Sequence, residues 1–155
     1  MKKIFTGIAI IMAAVIFFGM QASAEEKLAG VWKTIADEGA DKGKAKSYLD
    51  ITADASGAYT ARIKKLLLKP QDTKCDKCVG ALKDKPLIGM AIFSNMKKTG
   101  KVDKDFGDEY AGGQIMDPDN GKFYRCKLWV KGDTMVVRGY LAFFYRTQRW
   151  YRVKE

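Results

Sequence analysis

From residue 30 onward the chain reads as eight short stretches rich in β-branched and aromatic residues, and no segment keeps a helical period beyond three turns. They span 30–36, 46–53, 58–67, 87–94, 108–116, 122–130, 134–142 and 146–154. Tight turns separate several of them. Asp54-Ala55-Ser56-Gly57 follows the second, and Lys131-Gly132-Asp133 the sixth. Asp117-Pro118-Asp119-Asn120-Gly121 follows the fifth, with a φ-fixing proline and an Asn-Gly pair that tolerates positive φ. Two longer connections cover 68–86 and 95–107. Such regularity predicts an antiparallel meander. An open sheet would expose two edges and one apolar face, and closure removes both problems. The expected fold is therefore all-β, a single up-and-down barrel of about eight strands, with a sandwich as the alternative.

The N-terminus reads as an export leader. Lys2 and Lys3 precede an apolar run over 4–20, and Ala22-Ser23-Ala24 supplies small residues for cleavage after Ala24. The expected organisation is a cleaved signal peptide over 1–24 and one barrel domain over 25–155. The expected location is periplasmic or secreted, and the mature protein is not expected to span a membrane. The whole chain carries +10; loss of Lys2 and Lys3 leaves 26 basic against 18 acidic side chains, an excess of +8. That balance points to anionic partners such as lipid-like ligands or cell-envelope polymers, and an exported chain argues against nucleic acid.

The absence of histidine excludes Ser-His-Asp and Cys-His triads and every imidazole-ligated metal site. Cys75-Asp76-Lys77-Cys78 has the spacing of a redox pair, but no strand-helix pattern surrounds it. A structural disulfide suits an exported chain better. Three cysteines allow three pairings. Cys75 with Cys78 closes a small loop and leaves Cys126 as a small buried residue; either one with Cys126 would tie the 68–86 connection to the barrel. Three thiols without histidine fit zinc poorly. Asp117, Asp119 and Asn120 lack the rest of a calcium loop and read as turn chemistry. Asp103, Asp105, Asp108 and Glu109 read as a solvated loop. No cofactor or metal is expected.

Alternation sorts the inner face. In the sixth stretch Tyr124, Cys126, Leu128 and Val130 oppose Arg125 and Lys127, so the first set is expected inside. The seventh and eighth stretches do not sort cleanly, and an inward arginine there would need a partner or a polar cavity. An inner set mixing Tyr124, Arg138, Gln148, Trp150 and Arg152, with Trp32 at one end, has the composition of a pocket. The expected function is binding of a small, partly apolar, anionic ligand in the lumen. The alternative is a filled core acting through its basic surface and loops on the cell envelope. A thiol-disulfide activity of Cys75 and Cys78 is a third, enzymatic reading.

Several motifs occur in one order: Gly30-Val31-Trp32-Lys33-Thr34, Cys75-Asp76-Lys77-Cys78, Lys85-Pro86-Leu87-Ile88-Gly89-Met90, Gly112-Gly113-Gln114-Ile115-Met116-Asp117-Pro118, Asn120-Gly121-Lys122-Phe123-Tyr124, Val137-Arg138-Gly139-Tyr140, and Arg146-Thr147-Gln148 with Trp150 and Arg152. In these the chain resembles the exported bacterial proteins grouped as domain of unknown function family 2147, over essentially the whole mature length. That family has no established activity, so the resemblance implies membership and not mechanism. More loosely, the first-strand motif and the closing arginine resemble lipocalin and avidin-like barrels, which implies small-ligand binding in the lumen.

Overall fold

A computed structural model describes residues 28–154, so the expected leader over 1–24 lies outside the described residues. Nine strands follow in order: β1 Gly30–Ile35, β2 Ala45–Ala53, β3 Tyr59–Leu66, β4 Ala91–Asp103, β5 Gly107–Ala111, β6 Gln114–Asp117, β7 Lys122–Lys131, β8 Thr134–Leu141 and β9 Phe144–Arg152. Every pairing is antiparallel. The sheet closes where β1 meets β9, with Trp32 opposite Arg152 and Lys33 opposite Tyr151. Because β5 and β6 both lie between β4 and β7, they form one broken stave. The result is a closed eight-stave barrel, as the alternation predicts.

Two boundaries differ from the sequence reading. The expected single strand over 108–116 breaks at Gly112-Gly113, where Gly112 has φ +95°. A Cβ on Gly113 would stand 2.0 Å from the Ser94 carbonyl oxygen, so the β4 backbone approaches where only glycine fits. The expected fourth strand starts later and runs much further, to Asp103, through a stretch expected to be a loop. Beyond Met96 its own side chains are mostly exposed, although the β5 residues it pairs with there, Asp108 and Tyr110 among them, are buried. Charge therefore masked a strand that lacks a buried face.

Burial follows the period of two on the staves. Ser47, Leu49 and Ile51 on β2, and Tyr59, Ala61 and Ile63 on β3, point into the core. On β7 the inner set is Cys126, Leu128 and Val130, with Tyr124 at the half-buried end. On β8 it is Met135 and Val137. Leu87 and Met90, expected in a strand, instead anchor the connection before β4: Leu87 N–H donates to the Thr73 carbonyl and Gly89 N–H to that of Ile63.

Candidate functional site

The barrel has two unlike ends. At one, the β1–β2 loop, the connection after β3, the β6–β7 turn and the β8–β9 hairpin surround a cavity of about 500 Å³. Its wall is mostly apolar, with Leu49, Ile63, Ile92, Val137 and Trp150 among the lining side chains. Trp150 is held flat against Phe93, ring centroids 6.3 Å apart and planes 12° apart. Its indole N–H donates to Gln148 Oε1 at 3.1 Å. The hydroxyls of Thr34 and Ser47 satisfy each other at 2.8 Å. Tyr124 Oη accepts from Asn120 Nδ2 at 3.0 Å.

The other end is stoppered. Trp32 is fully buried and its indole N–H donates to the Leu28 carbonyl at 2.9 Å. The Arg152 guanidinium lies 4.4 Å from the centre of that ring and donates to the Ala29 carbonyl at 2.8 Å. Gly30, with φ +114°, makes room: a Cβ there would sit 3.0 Å from Arg152 Nη1.

Charge concentrates at the rim of the cavity. Arg146 grips the Asp37 carboxylate through Nε and Nη2, and lies 3.1 Å from Glu38 and 3.9 Å from Asp117. Lys46 and Lys69 both pair with Asp119, the second at 3.0 Å. Burial pushes the Asp37 carboxyl up, but hydrogen bonds from Arg146 and Gln148 and the charge of Arg146 outweigh it, holding the group below its usual value of 3.8. Burial likewise pushes Asp119 up, and Lys46 and Lys69 bring it below the same value. A carboxyl depressed on folding contributes stability above its unfolded pKa and loses it as pH falls through the folded one. Stability should therefore decline as pH drops from about 4 downward. Asp37→Asn should flatten part of that decline in thermal melts taken across the acid range.

A family profile matches residues 30–152, under the description "Uncharacterized protein conserved in bacteria (DUF2147)". The chain belongs to this family. No curated protein matches it. Among solved structures, this DUF2147 chain is similar to one described as "Protein HP1028 from the human pathogen Helicobacter pylori belongs to the lipocalin family". The TM-score is 0.66 at 18% identity, over 83% of this chain and 84% of that one. The shared property is the lipocalin-like barrel.

Of the side chains proposed from the sequence of this DUF2147 protein, Tyr124, Gln148 and Trp150 line the cavity together. Trp32 and Arg152 meet at the closed end and do not reach it. Arg138 is a correction. It lies outside, over Trp129 at 5.2 Å and Tyr145 at 4.5 Å, with Nε donating to Thr147 at 3.1 Å. The reason is register: Arg138 pairs with Lys127 and Thr147, so β8 turns Val137 inward instead. Arg146 and Asp37 were not among the proposed site residues. Arg146 shares the face of Gln148 and Trp150, a signal within reach; nothing local marks Asp37.

Cys75 and Cys78 form a disulfide with both residues buried. Cys126 is free and buried, and burial pushes its thiol up to about 12. Asp117 Oδ1 accepts from the Asp119 N–H at 3.0 Å, as turn chemistry requires. Asp108 and Glu109, expected to be solvated, are buried: Lys98 lies 3.4 Å from Asp108, and Lys127 lies 3.2 Å from Glu109, which also accepts from Thr99 at 3.0 Å. The expectation of an anionic ligand rested on overall charge. The cavity does not carry that excess: its lining holds Asp37, Glu38, Asp41, Asp117 and Asp119, five carboxylates against the three cations Lys46, Lys69 and Arg146.

Proposed function

We propose that this DUF2147 protein is an exported carrier that holds one small ligand in its barrel, apolar body inward and polar end at the rim. The observation that carries the reading is the cavity: about 500 Å³, mostly apolar-walled, with charged loop residues and the β8–β9 hairpin at its mouth. That size and composition suit a small-molecule site. The three rim cations already face carboxylates, so a neutral or cationic head fits this rim better than an anionic one. The leader-like residues 1–24 and the 75–78 disulfide support export. Binding rather than catalysis is the reading favoured, since both disulfide sulfurs sit in buried residues and the free thiol is held protonated.

The test fills the lumen. A Cβ on Gly139 would meet Ile115 and Tyr124 at an ordinary 3.6 Å, so a larger side chain can project from β8 into the space without striking backbone. Wild-type protein should enhance the fluorescence of N-phenyl-1-naphthylamine, a neutral apolar probe. Gly139→Phe should weaken that binding at least about tenfold while keeping the β-sheet circular dichroism. Probe binding by a folded Gly139→Phe variant equal to wild type would refute lumen binding, as would no binding by the wild type.

A further inference from the structure

Strands β7, β8 and β9 contain eight lysines and arginines and not one aspartate or glutamate. The rim of the cavity is acidic, so much of the positive excess lies elsewhere, on the outer side of these strands. There the register sets basic and aromatic side chains in rows across the strands. Arg125 is level with Tyr140 and Tyr145, Lys127 with Arg138, and Trp129 with Arg149. Glu109, from β5, engages Lys127. Arg125 and Arg149 are exposed and make no ion pair among the described residues.

This face ends in the β8–β9 hairpin, whose tip is apolar. Phe143 is 98% exposed, Phe144 77% and Leu141 61%. Tight hairpin turns ordinarily carry Asn-Gly or Asp-Gly. Here the two turn residues beyond the last pair, Leu141 with Phe144, are Ala142 and Phe143, and Ala142 takes φ +51° without being glycine. Bulky apolar side chains clustered at the end of a water-facing hairpin mark a contact surface. The same hairpin borders the cavity, since Leu141, Phe144 and Tyr145 are part of its lining.

We propose that the outer face of β7–β9 and the hairpin tip dock on an anionic lipid surface. Phe143 enters the interfacial layer, and Arg125 and Arg149 meet headgroup phosphates. A soluble polyanion would match the arginines but leave Phe143 and Phe144 in water; a bilayer satisfies both. Docking this way brings the cavity mouth to the lipid, so an apolar ligand could pass between bilayer and barrel without crossing bulk water. The proposal extends the carrier reading but uses side chains outside the lumen, since Arg125, Phe143 and Arg149 do not line the cavity.

The test is flotation with phosphatidylcholine vesicles with and without phosphatidylglycerol, wild type and variants compared in the same chain so that residues 1–24 contribute equally. Binding should require phosphatidylglycerol and weaken with salt. Arg125→Glu with Arg149→Glu should cut partitioning by about fivefold or more per site. Lys64→Glu with Lys65→Glu, the same charge change on β3, should do far less. Phe143→Ser should also lower partitioning, and Phe143→Trp should be quenched by brominated lipid. Equal effects of the two double variants would overturn the proposal. So would indifference to Phe143→Ser with retention on an acidic polymer, which would assign the arginines to such a partner. Self-association in the absence of vesicles that Phe143→Ser abolishes would assign the tip to a second copy. Retained naphthylamine binding in the docking variants separates a failure here from a failure of the carrier reading.

Discussion

Trp32→Ala is expected to lower the unfolding free energy by about 3–5 kcal/mol, the usual cost of deleting a fully buried large aromatic. For a single domain of ordinary stability, about 5–15 kcal/mol, that is a large fraction. Two losses add to the transfer term. The Leu28 carbonyl loses its indole donor, and the Arg152 guanidinium loses the ring it covers. Trp32→Phe separates these contributions: it keeps most of the apolar volume and should cost nearer the ~1 kcal/mol of one hydrogen bond plus a small packing defect. Equilibrium denaturation in urea measures both. A loss below about 1 kcal/mol for the alanine variant would mean that the indole does not hold the closed end.

Gly113→Ala should be strongly destabilising for a single added methyl. The new Cβ would stand 2.0 Å from the Ser94 carbonyl oxygen and 2.7 Å from Met96 Sδ. Methionine can swing aside, but the β4 backbone cannot move without shifting its pairing with β6, where Ser94 is opposite Gln114. Overpacking of this kind costs about 1–3 kcal/mol and occasionally more; contact with main chain places this site at the upper end. Gly139→Ala is the matched control, since its methyl would find ordinary contacts at 3.6 Å. Thermal melts of the two variants should differ by several degrees. Equal melts would show that the stave can close its break.

The barrel was legible because its staves alternate and its turns carry distinct chemistry. The Asp117 to Gly121 turn and the Lys131 to Asp133 turn both join strands as the residues imply. The break at Gly112-Gly113 was less legible, although paired glycines inside a strand hint at it. The far half of β4 gave no apolar alternation because both of its faces meet water. The site was half legible. Tyr124 followed from parity on β7; on β9 alternation sorts neither face cleanly, and Gln148 and Trp150 followed from the composition expected of a pocket. Arg138 did not, because its strand holds apolar residues on both faces: Val136 is buried on the outer side as Val137 is on the inner. Alternation cannot choose a face under those conditions. Asp37 lies in a loop, where no periodicity exists to place it.

Both ends of the described residues, 28–154, lie at the Trp32 pole. Ala29 accepts a hydrogen bond from Arg152, and the Val153 N–H donates to the Val31 carbonyl. Anything joined directly to the described segment at residue 28 or 154 therefore starts from the pole opposite the mouth. A chip-immobilised sample tethered there would present its opening, its acidic ring and its aromatic hairpin outward to whatever flows past.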